Sequence, residues 1–600
     1  MLNSFSRLKF VGSCFSLFGL LTIGKMIYIQ NDSSYRDLAQ RLENKFYSAP
    51  WTIYPERGTI YDRWGKILAI NQEVYEIGVN LENVDNPGSI ASVLSSVLGA
   101  KYQDIYDKAS TKYQPDLNKQ YPAVYYRLLD SVTRDKIDVL QELQDDYAKL
   151  RQTLNSSSEE TPSLNGLTWH PYLQRIYPEK SLASNLIGFY AARWQEDGQA
   201  FYGVEEKYND ILTGTPVTLQ LPFDPKDVTE LPNVLPGASL VLTIDREIQA
   251  NMERILDDAV KLNRAESGTL VVMDPKTGEI LAMANSTRMD LNEYYKLADI
   301  FTGTAPYNRA IGATYEPGSV FKILTMAAAL DKGVVKPGTV YVDEGYINVG
   351  GAPIHNWDYL AHGPQDMVGC LQNSLNVCLA WVATELKKES FYSYMQAFGI
   401  GHRTKIDLAG EVVYPFRTPA DSNWYEADLG ANSYGQGVSV TPIQLLTAVS
   451  AVANDGKMVK PHVVKSVIDN GRQYNTPVEI LNTPIQSTTA RTLSSMLATS
   501  LEQGEATKAL VPGYRIAGKT GTASIPDAAN NGYLKDVTNA SFIGWGPIDD
   551  PRFMVFVWLE KPEGIWGSTV AAPVFGEAVK NLVVLMDIPP DDVRLSVSNP

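Results

Sequence analysis

The stretch YEPGSVFK, residues 315–322, decides how the rest of this chain is interpreted. Its Pro-Gly pair ends the preceding segment, and the apolar run VFKILTMAAAL at 320–330 has no Gly or Pro, which predicts a buried helix beginning at Ser319. Residues three apart share a helix face, so we expect Lys322 to lie one turn from Ser319. A helix N-terminus favours developing negative charge, and burial lowers the pKa of a lysine. The stretch therefore predicts a serine nucleophile beside a lysine base.

The same spacing also has an ordinary structural interpretation. A second Ser-x-x-Lys occurs at Ser6 and Lys9, where no active site is expected. A core helix with a serine cap would give the pattern equally well. The remainder of the chain has to distinguish the two interpretations.

Length and composition narrow the possible classes. The chain has 600 residues, 44% of them hydrophobic and 20% charged, with a net charge of −16. This length is too great for one core and suggests about two to four domains. No basic stripe supports nucleic acid binding. With five histidines, no H-E-x-x-H and no paired cysteine ligands, we expect neither a metal nor a cofactor.

The N-terminus has the pattern of a membrane anchor. An apolar run at residues 10–29 is about long enough to span a bilayer, and Arg7 and Lys9 precede it. This charge placement predicts a cytoplasmic stub at 1–9, one transmembrane helix at 10–29 and an extracytoplasmic remainder. A cleaved signal peptide is the alternative. It is disfavoured because no small-x-small site follows the run.

A first extracytoplasmic domain is predicted at residues 30–215. Residues 57–69 read as a strand, a turn and a strand, with buried charges at Arg57, Asp62 and Arg63. A charged helical segment and a polar mobile loop at 155–166 follow. Residues 216–237 contain five prolines and little periodicity, and are predicted to be a linker.

The second domain is predicted at residues 238–586, followed by a tail at 587–600. It opens with a strand, a helix and a hairpin at 268–284, is rich in helices from 319 to 398, and returns to strands before a last helix at 572–586. This pattern predicts an α+β domain: one antiparallel sheet flanked by helices, with a helical lobe inserted.

The cysteines are predicted to be unpaired. Cys14 lies in the apolar run, and Cys370 and Cys378 lie in a helical region. Eight residues along one helix span about 12 Å, too far for a disulfide, so we expect core thiols. Pairing would require the chain to turn between them.

Two further motifs match the requirements of a serine acyl transferase, which needs a proton carrier, an oxyanion hole and a cation for a carboxylate. Ser374 and Asn376 form Ser-x-Asn, predicted on a loop between helices. Residues 519–522 form Lys-Thr-Gly-Thr, predicted on a strand edge. Copies at 163–165 and 276–278 fall in the polar loop and in a hairpin turn. Only the set at Ser319, Ser374 and Lys519 has the required order and context.

This triple resembles the penicillin-binding protein and serine β-lactamase superfamily. Further stretches resemble class B, the membrane-anchored monofunctional transpeptidases, and in particular the division type (the FtsI and penicillin-binding protein 2 family). Those stretches are Arg-Gly-x-Ile-x-Asp-Arg-x-Gly at 57–65, Gly-Val-Glu at 203–205, Asn-Arg-Ala at 308–310, Gly-Gln-Gly at 435–437 and Lys-Thr-Gly-Thr-Ala at 519–523. The resemblance implies an elongated α+β pedestal resembling a dimerisation domain, followed by a penicillin-binding transpeptidase domain.

The resemblance also implies roles for individual residues. Ser319 would attack the penultimate D-alanine carbonyl of a peptidoglycan stem peptide, with Lys322 as base and Ser374 passing the proton to the departing D-alanine. Asn376 would bind the substrate amide or hold Lys322, and Lys519 would keep the local potential positive. Thr520 and Thr522 would bind the terminal carboxylate beside Gly521, and the backbone N–H groups of Ser319 and Thr522 would form the oxyanion hole. No metal or cofactor is implied.

The sequence leaves the roles of some residues undecided. Ser524 stands where the family often has glutamine, and Gly-Gln-Gly at 435–437 could be a turn or part of the cleft. Trp545 and Trp566 could be core residues or could line the acceptor side.

Several functional alternatives also stay open. A β-lactamase would need a deacylating base, and none is identified. A D,D-carboxypeptidase differs only in using water as acceptor, and a catalytically silent scaffold would activate a glycosyltransferase. The partners implied are stem peptides, β-lactams and a polytopic glycosyltransferase of the SEDS family within a wall-synthesis complex. Glu316 and the Lys-Thr-Gly sequence favour a septal over an elongation role.

Overall fold

The computed structural model describes residues 4–35, 48–114, 124–154, 161–191, 198–222, 233–302, 306–527 and 532–598. The chain divides into two compact units. The first comprises residues 1–57 and 213–237, and the second comprises 58–212 and 238–600.

The described residues form helices and strands throughout. The helices are α1 (Ser4–Asn31), α2 (Pro87–Leu98), α3 (Tyr102–Ala109), α4 (Arg134–Leu154), α5 (Ser184–Ile187), α6 (Gly203–Lys207), α7 (Asn209–Thr213), α8 (Arg246–Leu262), α9 (Leu297–Ile300), α10 (Arg309–Gly312), α11 (Lys322–Lys332), α12 (Met367–Gln372), α13 (Asn376–Leu386), α14 (Lys388–Ala397), α15 (Glu426–Asn432), α16 (Pro442–Ala453), α17 (Ser487–Gln503), α18 (Gly567–Leu585) and α19 (Asp591–Ser598). The strands are β1 (Ser48–Ile53), β2 (Ile60–Tyr61), β3 (Ile67–Asn80), β4 (Tyr125–Val132), β5 (Leu167–Ile176), β6 (Phe189–Ala191), β7 (Gln199–Phe201), β8 (Val217–Pro222), β9 (Ser239–Leu242), β10 (Ser267–Met273), β11 (Ile280–Asn285), β12 (Tyr341–Asp343), β13 (Tyr346–Val349), β14 (Ala352–His355), β15 (Gly363–Gln365), β16 (Met458–Val459), β17 (Val464–Asp469), β18 (Arg472–Asn475), β19 (Ile480–Asn482), β20 (Ala517–Asp527), β21 (Gly532–Gly546) and β22 (Phe553–Glu560).

The first unit contains an apolar helix and a two-stranded ribbon. Within α1, the stretch Lys9–Asn31 is long and apolar enough to cross a membrane. Strand β1 pairs antiparallel with β8, from Ser48 opposite Pro222 to Ile53 opposite Val217. The linker prediction at 216–237 is therefore wrong over β8. The alternation Val217, Leu219, Leu221 is a strand pattern that the surrounding prolines obscured. Residues 223–232 of that prediction lie outside the described residues.

The central sheet of the second unit is antiparallel, in the strand order β11-β10-β22-β21-β20. Both of its faces are buried. Leu270 and Val272 pack with α8 and α18 in one core. Val271 and Met273 point the other way and pack with α11, α13 and α16 in a second core. The predicted α+β arrangement, with one sheet between helical layers, is confirmed. Helix α18 is also apolar enough to span a membrane, but more than half of it is buried within this fold.

A second sheet combines strands from both sides of the predicted domain boundary. Its order is β18-β17-β9-β2-β3-β4, with β5 also paired to β3. Strand β2 runs parallel to β9, with Ile60 opposite Leu240. The predicted turn between β2 and β3 is present, with Gly65 at a φ of +86° and the Asp62 carboxylate accepting from the backbone N–H groups of Trp64 and Lys66. The N-terminal domain thus shares a sheet with the segment after residue 238.

The segment predicted as a tail at 587–600 contains a helix. Helix α19 follows α18, and the Asp591 carboxylate accepts from the backbone N–H of Arg515 at 2.6 Å. Arg594 pairs with Asp549 and with Asp591. The sequence from 587 carries little apolar periodicity, so its ion pairs could not be recognised from local pattern.

The prediction that Cys370 and Cys378 are unpaired is wrong. They form a disulfide with a Cα–Cα distance of 6.0 Å. The single-helix argument fails because α12 ends at Gln372 and α13 starts at Asn376, with a sharp turn at Ser374. Cys14 is free and exposed.

Candidate active site

Ser319 lies in a tight 3₁₀ turn that leads into a buried helix. The turn spans Gly318–Phe321, and α11 begins only at Lys322, so Ser319 is not the α-helical cap that the sequence suggested. Gly318 adopts a φ of +56°, which glycine tolerates, and its N–H donates to the Gly435 carbonyl at 3.1 Å. The turn therefore rests on the Gly-Gln-Gly segment and leaves Ser319 half-buried at a cleft.

Lys322 is completely buried, and its side-chain nitrogen makes hydrogen bonds to Ser374 and Asn376. Its Nζ donates to the Ser374 carbonyl at 2.6 Å and to Asn376 Oδ1 at 2.8 Å, and lies 3.3 Å from Ser374 Oγ. Burial, followed by the positive charge of Lys519, lowers the pKa of Lys322 well below its ordinary value. Within the described residues, no hydrogen bond joins Lys322 to Ser319.

Ser374 lies between the two lysines. It sits in the corner that connects α12 to α13, at a φ of +51°. Its Oγ is 3.0 Å from Lys519 Nζ and 3.3 Å from Lys322 Nζ. Asn376 is oriented by donating from Nδ2 to the His355 carbonyl at 3.2 Å, which directs its Oδ1 to Lys322. The corner can thus carry a proton between the two lysines.

Lys519 belongs to β20, the edge strand of the central sheet. Burial lowers its pKa to about 8, and the negative charge of Glu505 opposes that shift. Its Nζ also lies 3.3 Å from Thr520 Oγ1. Thr520 and Thr522 alternate along the strand, so both line the cleft.

Packing explains why residue 521 is a glycine, which the sequence alone did not show. A Cβ at this position would lie 2.3 Å from Ser541 Oγ and 3.0 Å from the Pro317 carbonyl. The absent side chain therefore lets β20 approach the turn that carries Ser319. The space beside Gly521 is thus filled by protein atoms.

These groups surround a cavity of about 450 Å³. The predicted residues among its lining are Ser319, Ser374, Asn376, Thr520 and Thr522. Residues that sequence reasoning did not single out also line it, including His355, Trp357, Tyr359, Tyr434 and Glu505. No local pattern marks these residues, because they belong to segments outside the three motifs that the chain's folding brings to the cleft.

The structure shows which of the residues left ambiguous by the sequence belong to the core and which line the cavity. Trp545 is fully buried in the core, whereas Trp566 lines the cavity and packs edge-on against Trp357, with ring centroids 5.2 Å apart. Gln436 and Ser524 both line the cavity. In this respect the Gly-Gln-Gly segment is both a turn that supports Ser319 and a part of the cleft wall.

Two family models match this chain. The model described as "Penicillin binding protein transpeptidase domain" matches residues 268–580, and the "Penicillin-binding Protein dimerisation domain" matches residues 52–220. The chain is 30% identical to stage V sporulation protein D of Bacillus subtilis, an alignment that covers 89% of this chain and 79% of that protein. It is 29% identical to the peptidoglycan D,D-transpeptidase FtsI of Escherichia coli, over 91% and 86% of the two chains.

Solved structures agree with these similarities. Penicillin-binding protein 3 of Mycobacterium tuberculosis in complex with aztreonam superposes with a TM-score of 0.67 at 25% identity, covering 90% of this chain and 98% of that one. Penicillin-binding protein 2X of Streptococcus thermophilus shares the fold, with a TM-score of 0.74 at 22% identity, over 90% and 80% of the chains. From the family models, the relatives and the fold together, the chain belongs to the class B penicillin-binding proteins.

Proposed function

We propose that this protein is a peptidoglycan D,D-transpeptidase that works through an acyl-enzyme on Ser319 and binds penicillin covalently at the same residue. The observation that carries the proposal is the position of Ser374 Oγ between Lys322 Nζ and Lys519 Nζ, at the cleft that the half-buried Ser319 lines. This arrangement supplies a nucleophile, a proton path and a fixed positive charge in one site.

Acylation follows from these positions. Lys322, which burial favours in its neutral form, takes the Ser319 proton as Oγ attacks the penultimate D-alanine carbonyl. Ser374 passes a proton to the nitrogen of the departing D-alanine when the peptide bond breaks. An amine of a second stem peptide then attacks the ester, releases Ser319 and forms the cross-link. The reaction transfers an acyl group from D-alanine to Ser319 and then to the acceptor amine, with D-alanine and protons released, and it requires no redox partner.

Recognition of the donor is assigned to β20. Thr520 and Thr522 present two hydroxyls on the cleft side of the edge strand, and the buried Lys519, whose Nζ lies 3.3 Å from Thr520 Oγ1, supplies a cation beside them, suited to the terminal carboxylate. Thr522 Oγ1 already accepts from the backbone N–H of Gly567 at 2.9 Å, which fixes its orientation. The backbone N–H groups of Ser319 and Thr522 are assigned to the oxyanion hole.

Covalent labelling tests the nucleophile. The full chain in detergent is incubated with a fluorescent penicillin and separated on a denaturing gel. Wild type should label in a one-to-one ratio, and Ser319→Ala should abolish the label. Ser6→Ala removes the second Ser-x-x-Lys and should label like wild type. A label that persists in Ser319→Ala would refute the assignment.

The alternatives give different outcomes in the same material. A catalytically silent scaffold would not label at all, and a β-lactamase would lose its label within seconds to minutes. A D,D-carboxypeptidase would label but would release monomeric tetrapeptide from stem-peptide substrates. Mass analysis of the products should instead show cross-linked dimers in the presence of an acceptor strand.

The cellular setting is also part of the proposal. The apolar helix α1 and the basic residues Arg7 and Lys9 near its start support a single-pass anchor with a cytoplasmic N-terminus. Protease added outside intact spheroplasts should then digest the residues after the anchor. For the complex, we propose septal wall synthesis alongside a SEDS-family glycosyltransferase. A fluorescent fusion should concentrate at midcell, and an even distribution along the side wall would favour elongation.

A further inference from the structure

The disulfide of this protein is centred on its catalytic corner. Cys370 lies four residues before Ser374 and Cys378 lies four residues after it. Cys370 belongs to α12 and Cys378 to the first turn of α13, so the bond joins the two helices that meet at the corner. Both cysteines are fully buried.

The corner adopts a conformation that its own sequence does not favour. Ser374 has a φ of +51°, in the left-handed region that non-glycine residues avoid. Its N–H donates to the Leu371 carbonyl at 3.2 Å, and the Leu375 N–H donates to the Cys370 carbonyl at 3.0 Å. The tight turn therefore closes back onto the same cysteine that the disulfide tethers.

The corner also carries the polar partners of both catalytic lysines. The Ser374 carbonyl and Asn376 Oδ1 accept from Lys322, and Ser374 Oγ lies 3.0 Å from Lys519 Nζ. A small opening between α12 and α13 would move all three oxygens together. Water that entered through that opening would relieve the burial that lowers the pKa of Lys322.

We propose that Cys370 and Cys378 are positioning residues, whose disulfide holds the Ser374–Asn376 corner against Lys322 and Lys519. A cross-link between the helices removes open conformations of the corner, so the acceptors are in place before substrate arrives. An extracytoplasmic location, which the proposed topology gives, allows such a bond to persist. The inference rests on the proposed acylation of Ser319.

The test measures the acylation rate constant of the full chain in detergent with a fluorescent penicillin, across pH 5 to 10. Three forms are compared in a Cys14→Ala background, which removes the exposed third thiol. They are the oxidised protein, the protein reduced by a water-soluble phosphine, and Cys370→Ala/Cys378→Ala. In the reduction the phosphine becomes its oxide, water supplies the oxygen, and two thiols form. Alkylation and mass measurement confirm that both thiols are present.

We expect reduction and the double substitution each to lower the rate constant at least tenfold. The rising limb of the pH profile should move to higher pH, because water reaching Lys322 raises its pKa. Reoxidation of the reduced protein should restore the rate. A bond that merely stabilised the fold would instead reduce the labelled fraction and leave the rate constant and pH profile of the remaining molecules unchanged.

Equal rate constants and pH profiles in the three forms would overturn the proposal that the disulfide positions the Ser374–Asn376 corner. So would a loss confined to the labelled fraction. Failure of the proposed function is a separate result, since it would appear as absent or Ser319-independent labelling in the oxidised protein.

Discussion

At the residue scale, the proposed site depends on two buried lysines whose pKa values both lie below the ordinary value for lysine. Lys322 has lost its hydration and faces a second cation, which favours the neutral amine required of a base. Lys519 is also buried, but the negative charge of Glu505 counteracts part of the shift and leaves its pKa at about 8. When the surroundings of two neighbouring groups push their pKa values apart, one group can act as a base while the other stays cationic.

Glu505→Gln should therefore narrow the pH range of acylation. Removing the negative charge takes away the contribution that raises the pKa of Lys519, so that pKa falls below about 8. Lys519 then loses its proton at lower pH and binds the substrate carboxylate less well. The falling alkaline limb of the acylation rate constant should move to lower pH.

A control for this measurement lies in the preceding helix. Glu502 pairs with Arg515 and is not among the residues lining the cavity, so Glu502→Gln should leave the alkaline limb in place. An unmoved limb in Glu505→Gln, or one displaced to higher pH, would contradict the prediction.

At the element scale, the site depends on how closely the edge strand approaches the 3₁₀ turn. Gly521 of β20 and Gly318 of the turn face each other's backbones, and a Cβ on Gly318 would lie 2.8 Å from the Thr522 carbonyl. Neither of these close approaches is a hydrogen bond between motif side chains. Both set the separation between Ser319, the proposed nucleophile, and Thr520 and Thr522, which we propose bind the carboxylate.

Gly521→Ala should lower the acylation rate constant by about a hundredfold, because a displacement on the order of 1 Å misaligns nucleophile and substrate. The new methyl group would meet Ser541 Oγ at 2.3 Å and the Pro317 carbonyl at 3.0 Å. Stopped-flow fluorescence with a labelled penicillin measures the rate.

Two variants make that experiment specific. Gly338→Ala adds a methyl group where nothing lies within 4 Å, and should acylate normally. Ser541→Ala in the Gly521→Ala background removes the nearer obstacle and should restore part of the rate. A normal rate in Gly521→Ala alone would show that the strand and turn adjust without cost.

At the scale of the whole molecule, a buried ion pair supports the sheet that spans both sides of the predicted boundary. Arg175 of β5 donates to Glu205 of α6 at 2.8 Å, and their side chains are 1% and 0% exposed. Arg175 also donates to the Gly58 carbonyl at 2.8 Å, and Tyr177 donates to Glu205 at 3.1 Å. The pair joins three segments that are far apart in sequence.

Glu205→Ala should destabilise the protein by about 3–5 kcal/mol, because it leaves the Arg175 charge buried without its carboxylate. Replacing both partners with apolar residues, as in Arg175→Met/Glu205→Leu, should recover most of that loss. Thermal unfolding followed by circular dichroism measures the change. Asp138→Ala removes a partner from the exposed pair with Arg134 and should change stability by less than about 1 kcal/mol. A similar loss in the single and double variants would contradict this account.

The sequence alone determined the class of the protein and most of the elements that hold its site. The apolar run at the N-terminus, the hairpin at 268–284 and the buried helix after Ser319 each follow from periodicity over neighbouring residues. The three motifs were identified by their order and by the elements around them. Strand β8 in the predicted linker and helix α19 in the predicted tail were not foreseen, because in both segments the local pattern is weak and distant contacts set the structure.

Only the tertiary structure decided how the site is assembled. Ser374 meets Lys322 across 52 residues and Lys519 across 145, and Glu505, Trp357 and Trp566 reach the cleft from separate loops. The disulfide forms because the chain reverses at Ser374, between the helices that carry Cys370 and Cys378. Periodicity reports the path of the backbone over a few residues. The contacts that set pKa values and reactive geometry depend on which distant elements pack together, and no local pattern contains that information.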